Sequence, residues 1–540
     1  MKHCAVIPGL VLAGLLSGCY EKSGGPPEAQ FGALLRWQFV GTAQLASSSD
    51  AAKLRQIAAV PSTAEFRDEV LQKLARAPQA FWAASLPAGV ADQSALIRPL
   101  LDDLLTAESF LEVRGPIERS ETVLAIQLSD SRAGLWQTNL WRLVQNWKLG
   151  TPQAWSVEGF KGWELKRQDA PGLVRCLRAR NWLLVSLGAD RLPLLPTLAQ
   201  QVSKAGRPVP GLQSAWLDLA GDWPALRKWF PVCAEFRLPP TRLTVVGKGE
   251  NLRTEARMYY SEKVPWTPAP WKIPTNAIKD PIISFTAGQG LAALLGDLKG
   301  VAELGLKPLP DQFCLWAQPA VFAQSYVAMP VPNATNAARQ LSQSLPRFVQ
   351  ARFSPIMGQF AYVSNKAELF WQGLPVAEPR LRPYREGGND YLLGGLFPVA
   401  PGTNAVPSDL FAQLTGRKNL LYYDWEITQE RLIHARPLYQ LLDILHRRQF
   451  TPTNTPSHKW LREVGPLLGN TVTEVTLDAP KQLTLVRKSH LGLTGFELYT
   501  LARWVESRGF PLKFEPPPPI ELTRTNVVGR STNAAPRPQR

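Results

Sequence analysis

Two segments about 240 residues apart match each other without a gap, and this limits what the chain can fold into more than any other feature. Leu243-Thr-Val-Val-Gly-Lys248, running on through Thr254 to Met258-Tyr259, is echoed by Leu483-Thr-Leu-Val-Arg-Lys488, running on through Thr494 to Leu498-Tyr499. Other landmarks repeat in the same order. Val123-Leu-Ala-Ile-Gln-Leu128 precedes a helical pattern over 135–149, and Tyr326-Val-Ala-Met-Pro-Val331 precedes one over 333–345. Trp216-Leu-Asp218-Leu is echoed by Tyr422-Tyr-Asp424-Trp, which aligns Asp218 with Asp424. Phe81–Leu86 reads as a strand before the amphipathic run Ser94–Ala107, and Pro281–Phe285 before Leu291–Leu295 repeats that opening. Landmarks repeated in one order predict a duplicated unit, so we expect two related halves.

In the segment after Gly249, Leu252, Thr254, Ala256 and Met258 alternate with Arg253, Glu255, Arg257 and Tyr259. That period of two describes a strand with one buried and one wet face, so both matched segments read as antiparallel hairpins. The expected class is α+β, each half an antiparallel sheet with helices packed on one face. Half one is placed at 60–265, after a tether and linker over 19–59, and half two at 280–510. The joint Val264-Pro-Trp-Thr-Pro-Ala-Pro-Trp-Lys-Ile-Pro274, with the connector taken as 266–279, has the prolines of a stiff linker or a strap laid over the surface. Ser62-Thr-Ala-Glu65 has the pattern of a capping box, opening a helix that should stop before Pro78. The Pro-rich basic stretch 511–540 lacks any period and is expected to be an extended, disordered tail.

The first nineteen residues have a different logic. Lys2 and His3 precede an apolar run that ends at Leu16, too short to span a bilayer, and Ser17-Gly18-Cys19 follows. Leu16-Ser17-Gly18-Cys19 resembles the lipobox of bacterial lipoproteins. The resemblance implies that residues 1–18 are a signal peptide and that Cys19 carries a diacylglyceryl group as the mature N-terminus. It also implies an envelope location with the membrane as a partner through Cys19; Tyr20, where an Asp would favour inner-membrane retention, leans towards the outer membrane.

The chain has 540 residues, 45% hydrophobic, and a formal charge of +16. The basic residues are scattered rather than gathered into a stripe, so nucleic acid is not an expected partner, whereas anionic envelope components are. After processing, Cys176, Cys233 and Cys314 remain in apolar settings without CxxC spacing, which predicts buried free thiols rather than a thiolate metal site.

No Walker A, HExxH or GxSxG pattern occurs, and the histidines beyond His3 are dispersed over 434–490, so no cofactor and no metal is expected. Gly288-Gln-Gly290-Leu-Ala-Ala293 has the spacing of a dinucleotide fingerprint, but Pro308 and Pro310 follow where a buried parallel strand should be, so it reads as a tight strand-to-helix turn. Asp218 and Asp424 are the candidate functional carboxylates: facing one another across a two-fold axis they would make an acid and base, and otherwise each would end a strand and cap a helix. Trp136, Trp141, Trp147, Trp155 and Trp163 either pack onto the sheet or form an aromatic surface. These readings predict a membrane-anchored, non-enzymatic binding or scaffold protein, with a hydrophobic ligand as one version. The alternative is a carboxylate-dependent hydrolase of envelope polymers.

Overall fold

The computed structural model of the chain describes residues 32–518, apart from 82–88, 117–118, 167–171, 189–192, 227–237, 296–302, 321–323, 354–357, 375–376, 398–401 and 447. The signal peptide, Cys19, Cys233 and 519–540 lie outside the described residues. Helices and strands combine in an α+β architecture around one 20-stranded antiparallel sheet. The first ten strands are β1 (Leu35–Phe39), β2 (Ser109–Arg114), β3 (Glu121–Gln127), β4 (Gln153–Val157), β5 (Phe160–Lys166), β6 (Leu173–Ala179), β7 (Trp182–Gly188), β8 (Ala215–Gly221), β9 (Thr241–Lys248) and β10 (Asn251–Tyr259). The next ten are β11 (Ser284–Gln289), β12 (Gln312–Ala317), β13 (Ser325–Val331), β14 (Gln359–Val363), β15 (Glu368–Gln372), β16 (Arg380–Glu386), β17 (Asn389–Gly395), β18 (Leu420–Ile427), β19 (Asn470–Ala479) and β20 (Gln482–Ser489).

Across the first part of the sheet the order is 4-5-6-7-3-2-1-8-9-10. β10 then pairs with β20, and the order continues 20-19-18-11-12-13-17-16-15-14. One row of directly opposed residues runs from Ala125 through Phe110, Gln38, Asp218, Thr244 and Glu255 to Val486, Glu474, Tyr423 and Ala287. The register shifts once in β8, between Ala215 and Leu217, and once in β18, between Leu420 and Tyr422. The outermost strands, β4 and β14, are five residues each, short enough to offer little template for a foreign strand.

Nine helices of eight or more residues among the described residues are used below: α1 (Pro61–Phe81), α2 (Ser94–Thr106), α3 (Asp130–Asn146), α4 (Leu194–Ala205), α5 (Ala334–Phe353), α6 (Ser408–Thr415), α7 (Thr428–Leu445), α8 (Pro456–Val464) and α9 (Gly495–Glu506). The expectation that helices cover one face is overturned. On one face α3 sets Trp136 and Val144 against Ile126 and Leu183, and on the other α4 sets Leu195, Leu198 and Val202 against Val123, Ala125 and Leu184. Strands β3 and β7 are therefore buried on both sides, which explains their unbroken apolar runs Val123-Leu-Ala-Ile126 and Trp182-Leu-Leu-Val185. In the later part of the sheet α5 covers Leu392 while Tyr391 and Leu393 pack in a cluster on the opposite face with Leu414 of α6.

Three boundaries also differ from the sequence expectation. β1 lies inside the stretch taken as linker; the five residues Leu-Arg-Trp-Gln-Phe are too few for a clear period, yet β1 pairs on both sides, with β2 and β8. α1 starts at Pro61, so Ser62 is inside the helix rather than its cap, and α1 runs through Pro78 to Phe81, the first residue of the strand expected over 81–86, whose remainder lies outside the described residues. The segment 483–499 is the strand β20 followed by the start of α9, not a hairpin in itself; β20 forms its hairpin with β19, upstream.

The joint 264–274 is a strap. Val264 and Trp266 are buried with Met258, Tyr422 and Leu483, whereas Trp271 and Ile273 pack against the cluster holding Phe285, Trp316 and Tyr423. Tyr422 and Tyr423 are consecutive in β18 and point to opposite faces, so the strap passes from one face of the sheet to the other. Two amide side chains hold its backbone: Gln289 accepts from Ala269 N–H at 3.2 Å and donates to Leu420 O at 2.8 Å, and Gln312 accepts from Lys272 N–H and donates to Pro270 O, both at 2.9 Å. No helix among the described residues is long and apolar enough to cross a membrane.

Candidate functional site

The two aspartates singled out by the repeat do not meet. Asp218 lies in the row that contains Tyr423, so its neighbour in sequence, Asp424, faces the other side of the sheet. Five interstrand steps also separate β8 from β18, about 24 Å at the usual strand spacing. Asp218 accepts two hydrogen bonds from the Arg242 guanidinium, at 3.0 and 2.8 Å. Neither aspartate caps a helix; that task falls to Asp222, whose carboxylate accepts from Ala225 N–H at 3.2 Å. The acid-and-base pairing of Asp218 with Asp424 is therefore corrected: strand alternation puts one carboxylate on each face.

Asp424 instead belongs to a buried charged cluster built by β18, β20, α7 and α9. Alternation along β18 puts Asp424 and Glu426 on one face, and Arg487 of β20 reaches the same face through Thr473. The Thr286 hydroxyl donates to Asp424 at 2.6 Å. Glu426, 2% exposed, accepts from the N–H of Gly495, the first residue of α9, at 2.6 Å, where the helix dipole favours a carboxylate. Arg487 donates to Glu497 at 2.7 and 3.1 Å, to Thr473 at 2.9 Å and to Gly492 O at 3.1 Å. Glu497 also closes a capping box with Thr494, which fixes where α9 begins. From α7, Arg431 donates to Ser284 at 3.2 Å and stands 4.0 Å from Glu426.

Burial sets the protonation of these groups. It pushes the Asp424 carboxyl up against the pull of the Thr286 hydroxyl, and it pushes Glu426 up to about 8, with the negative charge of Asp424 adding to the shift. Burial opposes the charge of Arg487, but the Glu497 carboxylate more than offsets it and holds the guanidinium above its ordinary pKa. The arrangement can take up one proton near neutral pH. Each charged side chain in it is engaged by the protein itself, which is the pattern of a charge network that orients α9 on the sheet.

The other sequence candidates resolve separately. Gly290 has φ +86°, and a Cβ there would lie 2.8 Å from the Trp266 ring, while a Cβ on Gly288 would run into the ring of Phe313. Both glycines make room for aromatic packing. Burial pushes the thiols of Cys176 and Cys314 up to about 12, so they stay protonated and unreactive. His434, His458 and His490 are each held below the ordinary histidine pKa by burial. Among the described residues no group of three His, Cys, Asp or Glu side chains could hold a metal ion. Trp136, Trp147 and Trp163 are buried in core clusters; Trp155 is partly buried, with the Arg175 guanidinium 4.3 Å from its ring centre; Trp141 is partly buried beside Trp163.

Sequence reasoning reached Asp424 but missed Glu426, Arg431, Arg487 and Glu497. Thr494-x-x-Glu497 was the local signal for this corner, since a capping box places a helix N-terminus there. No protein-family model matches the chain, and no curated protein matches it.

Proposed function

We propose that the chain is a lipid-anchored, non-enzymatic binding or scaffold protein of a bacterial envelope, held to a membrane through Cys19 and presenting a broad folded surface to envelope components. The lipobox at Leu16–Cys19 supports the anchor. The non-catalytic part rests on one observation above the others: Asp218 and Asp424 sit on opposite faces of the sheet, each engaged by a neighbouring side chain. The Cys19→Ala variant should leave the membrane fraction and become soluble. Finding intact Met1 at the N-terminus of the membrane-bound protein would overturn the anchor. Capture of a hydrophobic or anionic envelope component at fixed stoichiometry from detergent-solubilised membranes is the result expected of a binding protein, and turnover of an envelope polymer by the purified protein would end the non-enzymatic reading.

We also infer that the two ten-strand runs are copies of one fold. Read outward from the β10–β20 pair, strand n of the first run occupies the place of strand n+10 in the second, and the bulges of β8 and β18 fall at matching places. Ala125 opposite Leu184 then corresponds to Ala328 opposite Leu393, and Asp218 corresponds to Tyr423 rather than to Asp424. In this reading Leu243 corresponds to a position on β19 rather than to Leu483, so the match at a spacing of 240 is not the one that relates the halves.

A further inference from the structure

Beside β5, the outer face of α3 carries an open cavity of about 420 Å3, lined by Gln137, Thr138, Trp141, Arg142, Gln145 and Trp163. Its volume is within the ~300–1,000 Å3 typical of small-molecule sites. The two indoles stand nearly perpendicular, with centroids 6.1 Å apart and planes at 81°, so they form an aromatic corner. Trp163 is 6% exposed and its buried Nε1 has no hydrogen-bond partner among the described residues, whereas Trp136 of α3 donates to Asp103 at 2.8 Å. The polar side chains around the corner are also uncommitted: those of Gln137, Thr138, Arg142 and Gln145 make no hydrogen bond or ion pair among the described residues.

We propose that this cavity is a saccharide-binding site, taking a sugar unit of an envelope glycan. The proposal rests on the binding-protein reading above and supplies its ligand class. A pyranose has one face of C–H groups, whose slight positive charge suits the negative face of an indole, and a rim of hydroxyls that both donate and accept. Trp141 offers the platform, the two carboxamides and the Thr138 hydroxyl match hydroxyls in both roles, and the Arg142 guanidinium adds donors. An acyl chain would make no use of those polar groups, and a multiply charged anion would find one cation, so the lining suits a saccharide better than either.

The test uses the full-length protein in detergent with maltotetraose, cellotetraose and chitotetraose as probes, read by calorimetry and tryptophan fluorescence. Saturable binding of at least one tetraose is expected, about tenfold weaker in Trp141→Ala and in Gln137→Ala but largely kept in Trp141→Phe, with unchanged thermal midpoints. Absence of saturable binding to all three, or binding that Trp141→Ala leaves intact, would overturn the proposal. Neither result bears on Cys19 or on partner capture from membranes, so the binding-protein reading would survive it. Cleavage of a bound tetraose, seen by chromatography, would instead overturn the non-enzymatic reading.

Discussion

Asp443 of α7 and Arg503 of α9 meet in two 3.0 Å hydrogen bonds, with side chains 5% and 4% exposed, and the guanidinium also lies 4.5 Å from the Tyr439 ring centre. Removing one partner of so buried a pair leaves the other charged and unsolvated, so Asp443→Ala should lower the unfolding free energy by about 3–5 kcal/mol in a denaturant titration. The Asp218–Arg242 pair has side chains 21% and 53% exposed, and Asp218→Ala should cost no more than about 1 kcal/mol in the same assay. Glu426 gives a pH signature. Its folded pKa, about 8, lies above the ordinary 4.5, so its contribution to stability is complete below pH 4.5 and is lost as pH rises through 8. Glu426→Gln keeps an acceptor for Gly495 N–H and cannot ionise, so it should gain stability relative to the wild-type protein across that window; parallel pH profiles would rule out the assignment. This site was only partly legible in the sequence, because its charges come from β18, β20, α7 and α9. Asp424 was noticed through its likeness to Asp218, a likeness that strand alternation does not respect.

The match between Met258-Tyr259 and Leu498-Tyr499 joins a strand to a helix. In β10 the buried positions alternate, whereas Phe496, Tyr499 and Ala502 recur at intervals of three, and the capping box of Thr494 and Glu497 starts the helix at Gly495, three residues before Leu498. Local start signals were the better guide than residue likeness there. The segments 123–128 and 326–331 were legible as strands because each is a nearly continuous apolar run with neighbours on both sides, and both become strands, β3 and β13. β1 was not legible, since its five residues are ordered by partners on both sides. The glycines before Leu291 were legible from their context as a tight strand-to-helix turn, which is where they lie, although the reason for Gly290, the Trp266 ring of the strap, lies 24 residues upstream. Gly290→Ala forces a side chain into a positive-φ position and against that ring, and should destabilise the protein by about 1–3 kcal/mol in denaturant. A neutral substitution would show that the strap is not held at this point.

Two sets of contacts make the sheet one unit. The β10–β20 ladder pairs residues from Leu252 opposite Ser489 to Tyr259 opposite Gln482 without interruption. Above it, α1 packs on α8: Phe66 stacks on Trp460 at 4.7 Å, Trp460 donates to Thr63 at 3.1 Å, and Lys459 pairs with Glu65 at 2.7 Å. Calorimetry should therefore record one cooperative transition rather than two, because neither run of strands can unfold without stripping the other of its neighbours. The same geometry sets the behaviour of a chain cut after residue 265. Its last strand, β10, is nine residues long and would present an open row of backbone donors and acceptors where β20 now pairs, in contrast to the five-residue natural edges β4 and β14. An edge of that length recruits other strands, so the fragment should run as oligomers or aggregates in light scattering, while the intact chain does not oligomerise through this strand. Pairing of two fragments in the β10–β20 register would set Glu255 opposite Glu255, since Val486 holds that place in the intact sheet. Like charges directly opposed disfavour that dimer, and Glu255→Val should shift the fragment towards it. A fragment that stays monomeric and unfolds cooperatively would show that the β10–β20 ladder is not what seals the two runs together.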